Sequence, residues 1–235
     1  MRIFKSAVAI LLIPFFLGLL ISFGGLVTSF LPLSSSEIWF STGFVFFFIV
    51  SLIKPVSSKI YIFGHELTHA FWIILFRGKV KEFNVSSKSG SVTTTKSNFL
   101  ISLAPYFSPV YTFLIIFIFY LLALIFPVSK YIEWLFFLVG FSYSFHIFLT
   151  LESLSIDQPD IKKTGKIFSY ITIAILNIIV MVIVFKFVIP DKIIIKKYFL
   201  ESWIIASKIY EFIWRNLIPF FDLCVKWLRE NFLSR

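Results

Sequence analysis

Charge is scarce in this chain. Of its 235 residues only 14% are Asp, Glu, Lys or Arg, while 59% are hydrophobic and 20% aromatic. Soluble domains carry about 25% charged residues. Too few charges remain to cover a soluble surface of this size, which excludes an ordinary soluble globular domain and points to an integral, multi-pass membrane protein. Cysteine is nearly absent. Cys224 stands alone, which excludes an intrachain disulfide and any thiolate-rich metal site. Acidic residues are the scarcer sign, with 12 against 22 Lys and Arg and a net charge of +10. The basic residues cluster between apolar runs, as expected of loops held by anionic headgroups, so no nucleic-acid partner is expected. There is no internal repeat and no pairing of acidic residues in matching halves, which argues against a transporter or channel built on repeated halves.

Apolar runs divide the chain. Arg2 and Lys5 precede a run that continues through Gly24 and Gly25 to Leu33. It opens like a signal peptide but offers no small-x-small cleavage site, so a retained membrane helix is expected, kinked at Pro14. Further runs occupy 38–53, 60–76, 99–126, 131–151 and 167–189, giving about six transmembrane helices. The second is short for a span, and Pro105 and Pro109 interrupt the fourth. Segment 77–98 is polar and basic. Val80, 82–85 and 91–95 have β character around Ser87, Lys88, Ser89 and Gly90, which have turn chemistry. This reads as a small β-hairpin at the membrane surface. Its backbone must pair with itself, with protein or with a bound extended peptide. The tail mixes charge with Trp203, Trp214, Phe220, Phe221 and Trp227, a pattern that suits amphipathic helices lying in the interface. The expected fold is therefore an all-α polytopic membrane protein with one hairpin. It divides into N-terminal membrane helices at 1–59, a membrane core at 60–189 and an interfacial tail at 190–235.

The run 60–76 carries His65, Glu66, Leu67, Thr68 and His69. At 3.6 residues per turn the two histidines share one helix face. Two imidazoles so spaced can hold one zinc ion, and Glu66 beside them can act as general base on an attacking water. Ionisable groups in hydrocarbon are costly and so are functional suspects. The pattern uses two of only three histidines. A catalytic zinc takes three protein ligands, and the residues for the third place are His146, Glu152, Asp157 and Asp160. His146 has the chemistry of a ligand but sits in an apolar run, where helix packing is the commoner role. Asp160 follows Pro159 at a helix start, where a break could turn a carboxylate inward. Asn177 is expected to make an interhelical hydrogen bond.

The segment HELTHAFWIILFRGKVKEFNVSSKSGSV, residues 65–92, resembles the site-2 protease family of intramembrane zinc metalloproteases. Ala104, Pro105 and Tyr106 resemble the small-residue-plus-Pro start of that family's next helix, and QPDIKKTG at 158–165 resembles its Asp-Gly motif. The resemblance covers about 60–189 and is to compact members without a PDZ domain. It implies a zincin helix running into a short hairpin, with His65, His69 and Asp160 as ligands of Zn2+ and Glu66 as catalytic base. The implied activity is an intramembrane endopeptidase cutting a membrane-protein or transmembrane-peptide substrate within the lipid bilayer of a bacterial-type cytoplasmic membrane. A regulatory membrane partner is compatible with it. The sequence departs from the family in having Thr68 where Gly is common, in having Ile161 where Gly follows the aspartate, and in lacking an Asn-Pro element. These departures motivate an alternative, a non-catalytic relative that binds membrane proteins.

Two expectations follow from depth. His65 and His69 lie ~10–16 Å from either end of their run. Asp160 must then be brought inward on a broken or re-entrant segment between 157 and 166. The hairpin can hold an unwound substrate by strand addition. Orientation stays open: Arg2 and Lys5 favour a cytoplasmic N-terminus, which six spans would turn into an external hairpin, whereas the family resemblance puts the hairpin on the cytoplasmic side.

Overall fold

The computed structural model describes residues 2–53, 58–86 and 89–228. The chain is mostly helical. Its elements are α1 (Arg2–Thr28), α2 (Ser35–Ile53), α3 (Ser58–Leu75), β1 (Val80–Val85), β2 (Gly90–Thr94), α4 (Phe99–Leu103), α5 (Val110–Ala123), α6 (Ile132–Leu154), α7 (Pro159–Thr164), α8 (Lys166–Val188) and α9 (Ile195–Leu228). A 3₁₀ turn at Ala104–Tyr106 joins α4 to α5.

Among the described residues, α1, α2, α6 and α8 are long and apolar enough to cross a bilayer. A fifth span exists if α4 and α5 are counted together across an 80° bend. That bend falls at Pro105 and Pro109, which lack the N–H a helix interior needs. The difference from six lies in α3, where Lys59, His65, Glu66 and His69 dilute the apolar run. The tail also differs from expectation: α9 is one helix of 34 residues, with Pro219 inside it, rather than several. Its first half runs antiparallel to α1. There the Tyr198 hydroxyl donates to the Leu19 carbonyl at 2.8 Å, and Gly18 faces Ser202 and Ala206.

The core sits between α1, α2, α6 and α8, around Leu19, Phe40, Leu135, Val139, Tyr143 and Val182. Two glycines bring α2 and α6 into backbone contact. A Cβ on Gly43 would stand 2.0 Å from the Phe137 carbonyl oxygen, and one on Gly140 would stand 2.0 Å from that of Phe40. Small residues at a helix interface permit this approach. Rings seal its flank, with Phe47 edge-on to Phe141 at 5.1 Å and to Phe145 at 5.5 Å. Near the ends of these helices Lys192 donates to Glu37 at 2.6 Å and to the carbonyls of Phe30 and Pro32, each at 2.7 Å.

The hairpin is placed by how α3 ends. The Gly78 N–H bonds the Ile73 carbonyl and the Arg77 N–H bonds that of Ile74, both at 2.8 Å, with Arg77 at φ 57°. This is a Schellman ending with Arg in the left-handed position. It sends the chain into β1 so that the hairpin folds back over α3. β1 and β2 pair antiparallel from Val80 with Thr94 to Val85 with Gly90. The expected turn residues Ser87 and Lys88 lie outside the described residues, and the Ser86 N–H closes on the Ser89 carbonyl at 2.8 Å. Segment 157–166 is a short helix broken from its successor. Pro159 opens α7 and Gly165, at φ 108°, ends it.

Candidate metal centre

His65 and His69 stand on one face of α3 with ring centroids 5.0 Å apart. The first turn of α7 brings Asp160 to them. Its Oδ2 lies 3.8 Å from Nε2 of His65 and 3.4 Å from Nε2 of His69. One ligand atom from each of the three falls within 4.8 Å of the others. Tetrahedral ligands held ~2.0–2.1 Å from a zinc ion stand about 3.3 Å apart. The three donors therefore need only small shifts to close on one ion.

Local packing aims each donor. Ile161 is 2% exposed and packs with Leu103, Ala104, Tyr106, Phe107 and Ile173. Its burial turns the preceding residue, Asp160, toward α3, so the residue that departs from the family motif is itself the anchor of α7. The Gln158 amide donates to the Ser153 hydroxyl at 3.0 Å and fixes the approach to α7. Nδ1 of His69 lies 2.9 Å from the Ile101 carbonyl. A carbonyl can only accept, so Nδ1 carries the hydrogen and Nε2 is the ring atom that faces the cluster. Asn98 holds that carbonyl in place by capping α4, its side chain accepting from the Ile101 N–H at 2.8 Å. Nδ1 of His65 lies 3.3 Å from the Tyr61 hydroxyl, and its ring meets Tyr106 edge-on at 5.4 Å. Thr68 is buried and donates to the Gly64 carbonyl at 2.7 Å, so it is accommodated within the helix.

Glu66 is 7% exposed. It lines two cavities that flank the centre. One, of about 310 Å³, lies toward β2 and also contains His65, His69 and Asp160. The other, of about 460 Å³, lies toward α6. The fit of the donor set to zinc is chemical as well as geometric: two neutral imidazoles and a carboxylate leave a fourth position free.

The remaining residues weighed as third ligands lie elsewhere. Asp157 points outward, paired with Lys162 at 3.1 Å and Lys166 at 3.4 Å. Glu152 lines the cavity toward α6, outside the three-residue cluster. His146 is half-buried, its Nε2 enclosed and without a hydrogen-bond partner among the described residues, beside a cavity of about 30 Å³ that also touches His65. Asn177 donates to the carbonyls of Tyr106 at 2.8 Å and Ile173 at 2.9 Å, tying α8 to the 3₁₀ turn.

Sequence reasoning missed Tyr61, Gln158 and the Ile101 carbonyl. Tyr61 precedes His65 by four residues and so shares its face, a signal that was present. Gln158 had only its place beside Pro159, and a backbone carbonyl leaves no mark in a sequence. The fold and site thus define a helical, apolar chain with a His–His–Asp cluster beside a buried glutamate. Comparison with known protein families, curated proteins and solved structures gives no match to this chain.

Proposed function

We propose that the protein is a multi-pass membrane zinc endopeptidase of the site-2 protease type, hydrolysing a peptide bond of a membrane-protein substrate. The observation that carries this reading is the convergence of His65, His69 and Asp160, from helices far apart in sequence, beside Glu66. In this reading α3 is the sixth membrane helix, with Phe63, Phe71, Ile74 and Leu75 exposed on its outer side and its polar face turned to the cluster and the cavities beside it. Zinc would be held by the two Nε2 atoms and the Asp160 carboxylate. When bound, it supplies Lewis acidity that polarises the scissile carbonyl and acidifies an attacking water.

The chain's own groups do the rest. Glu66 removes a proton from the water as its oxygen bonds to the carbonyl carbon, then delivers that proton to the amine nitrogen as the C–N bond breaks. Ile101 and Tyr61 keep the two imidazoles oriented. A helical substrate must unwind before it is cut, and the hairpin offers strand edges on which the unwound segment can pair. The test is metal analysis together with proteolysis. Purified protein should carry about one zinc per chain, and Glu66→Gln should keep the metal and lose cleavage. Metal-free protein, or an unaffected Glu66→Gln variant, would sink the proposal.

A further inference from the structure

Asp160 rides on a helix too short to hold itself in place. α7 has 6 residues, and isolated helices shorter than about 12–15 residues are marginal. Its position is therefore set by what grips it. Ile161 and Thr164, 2% and 4% exposed, anchor it on its buried side. Its far end is held by a residue from the other end of the chain. The Lys5 ammonium, on α1, donates to the Thr164 carbonyl at 2.9 Å. We infer that Lys5 is a positioning residue for the metal centre, a cationic latch that keeps α7, and Asp160 with it, against α3. The inference rests on the zinc endopeptidase reading and makes its centre depend on the N-terminal helix.

The last carbonyls of a helix lack intrahelical partners and form the negative end of its dipole, so a cation is favourable there. Gly165, at φ 108°, breaks the chain between α7 and α8. The Ser169 N–H then bonds the Gly165 carbonyl at 2.9 Å, which leaves the Thr164 carbonyl to Lys5. Lys5 is half-buried and lies 6.0 Å over the ring of Phe168, in the first turn of α8. A contact so enclosed is screened less than one on an open surface. Outside the metal cluster, the other side-chain bonds between α7 and distant elements are longer. Lys163 reaches Ser97 at 3.4 Å, and the Ser169 hydroxyl reaches the Ile161 carbonyl at 3.5 Å. A Cβ on Gly165 would meet nothing within 4 Å, so α7 has room to swing at that joint once its end is released. Thr164 stands one turn, ~6 Å, from Asp160, and a swing there passes straight to the carboxylate. α1 is itself braced by α9, whose Tyr198 and Tyr210 hydroxyls donate to the carbonyls of Leu19 and Leu11.

The experiment measures zinc affinity of the full chain in detergent by competition with a chelator. Lys5→Met should weaken zinc roughly tenfold, the range for outer-shell partners, and Lys5→Arg should restore most of the loss. Tyr210→Phe, which loosens α1 from α9 without touching α7, should lower the thermal midpoint and leave zinc affinity unchanged. In a Cys224→Ala background, Lys5→Cys should show the same weakening. Alkylation with bromoethylamine, which rebuilds a lysine-like ammonium, should then recover the affinity, and alkylation with neutral iodoacetamide should not. Should Lys5→Met fail to fold, the Lys5→Cys protein before and after alkylation still decides. Wild-type affinity in Lys5→Met or in unalkylated Lys5→Cys, or equal recovery with the neutral label, overturns the latch while leaving the endopeptidase standing. Wild-type protein that binds no zinc removes the endopeptidase reading and the latch with it.

Discussion

The α2–α6 interface and the α3–α7 cluster are opposite solutions to helix packing. Between α2 and α6, Gly43 and Gly140 meet carbonyl oxygens and aromatic rings close the flank, so there is no room for a further methyl. Between α3, α7 and the hairpin, cavities of about 310 and 460 Å³ flank three ionisable side chains and a buried Glu66. The first region is dry and interlocked, and the second is roomy and polar. α6 belongs to both. Its Gly140 abuts α2, while Leu149 and Ser153, toward its C-terminal end, line the cavity at the site. Tight packing and the candidate site thus fall in different regions joined by one helix, and substitutions should separate them.

The largest separation is expected at Glu66. Glu66→Gln keeps shape and volume, so zinc content and thermal midpoint should hold while peptide cleavage falls by roughly 10²–10⁴-fold, the range for loss of a general base. Side-by-side turnover and metal assays check this. A collapse in stability instead would mean that the polar region also carries the fold. Next comes Asp160→Asn, which should weaken zinc binding by more than the roughly 10–100-fold that outer-shell partners carry, read by competition with a chelator. The converse test is Gly43→Ala or Gly140→Ala. Overpacking a tight interface costs about 1–3 kcal/mol, visible as a lower midpoint in chemical unfolding, with zinc content per folded chain unchanged. Zinc lost without a fall in stability would dissolve the distinction between the two regions.

The site was legible in proportion to how local its parts are. The pair His65 and His69 follows from helical spacing alone, and the hairpin from its β residues and turn chemistry. Asp160 could be chosen over Asp157 and His146 only through resemblance. What aims it is the burial of Ile161 against α4, the 3₁₀ turn and α8, a tertiary effect that no local pattern encodes. The Gly43–Gly140 contact was invisible for the same reason, since neither glycine sits in a motif. Of the six expected spans only α3 falls short of the apolarity of a membrane helix, because Lys59, His65, Glu66 and His69 interrupt its run. The tail was divided because its charges recur along what is one helix, with i,i+4 pairs of Lys197 with Glu201 and Glu211 with Arg215 on exposed positions.

The smallest effect should come from Asp157, which makes it the sharpest control. It stands three residues before Asp160 on the same connection, yet its side chain is 66% exposed and faces Lys162 and Lys166. Those two ammonium groups hold its carboxyl below the ordinary range. A carboxyl lowered on folding adds whatever stability it gives above its unfolded pKa of ~3.9 and loses it as pH falls through the folded value. Any contribution is therefore present at neutral pH and vanishes in acid. Exposed pairs of this kind contribute little and are screened by salt. Asp157→Asn should accordingly leave zinc content, cleavage and midpoint unchanged at neutral pH, while Asp160→Asn under the same conditions releases the metal. The reverse result, zinc lost with Asp157 and kept without Asp160, would require α7 to turn its other face toward α3 and would withdraw the buried Ile161 from its place in the core.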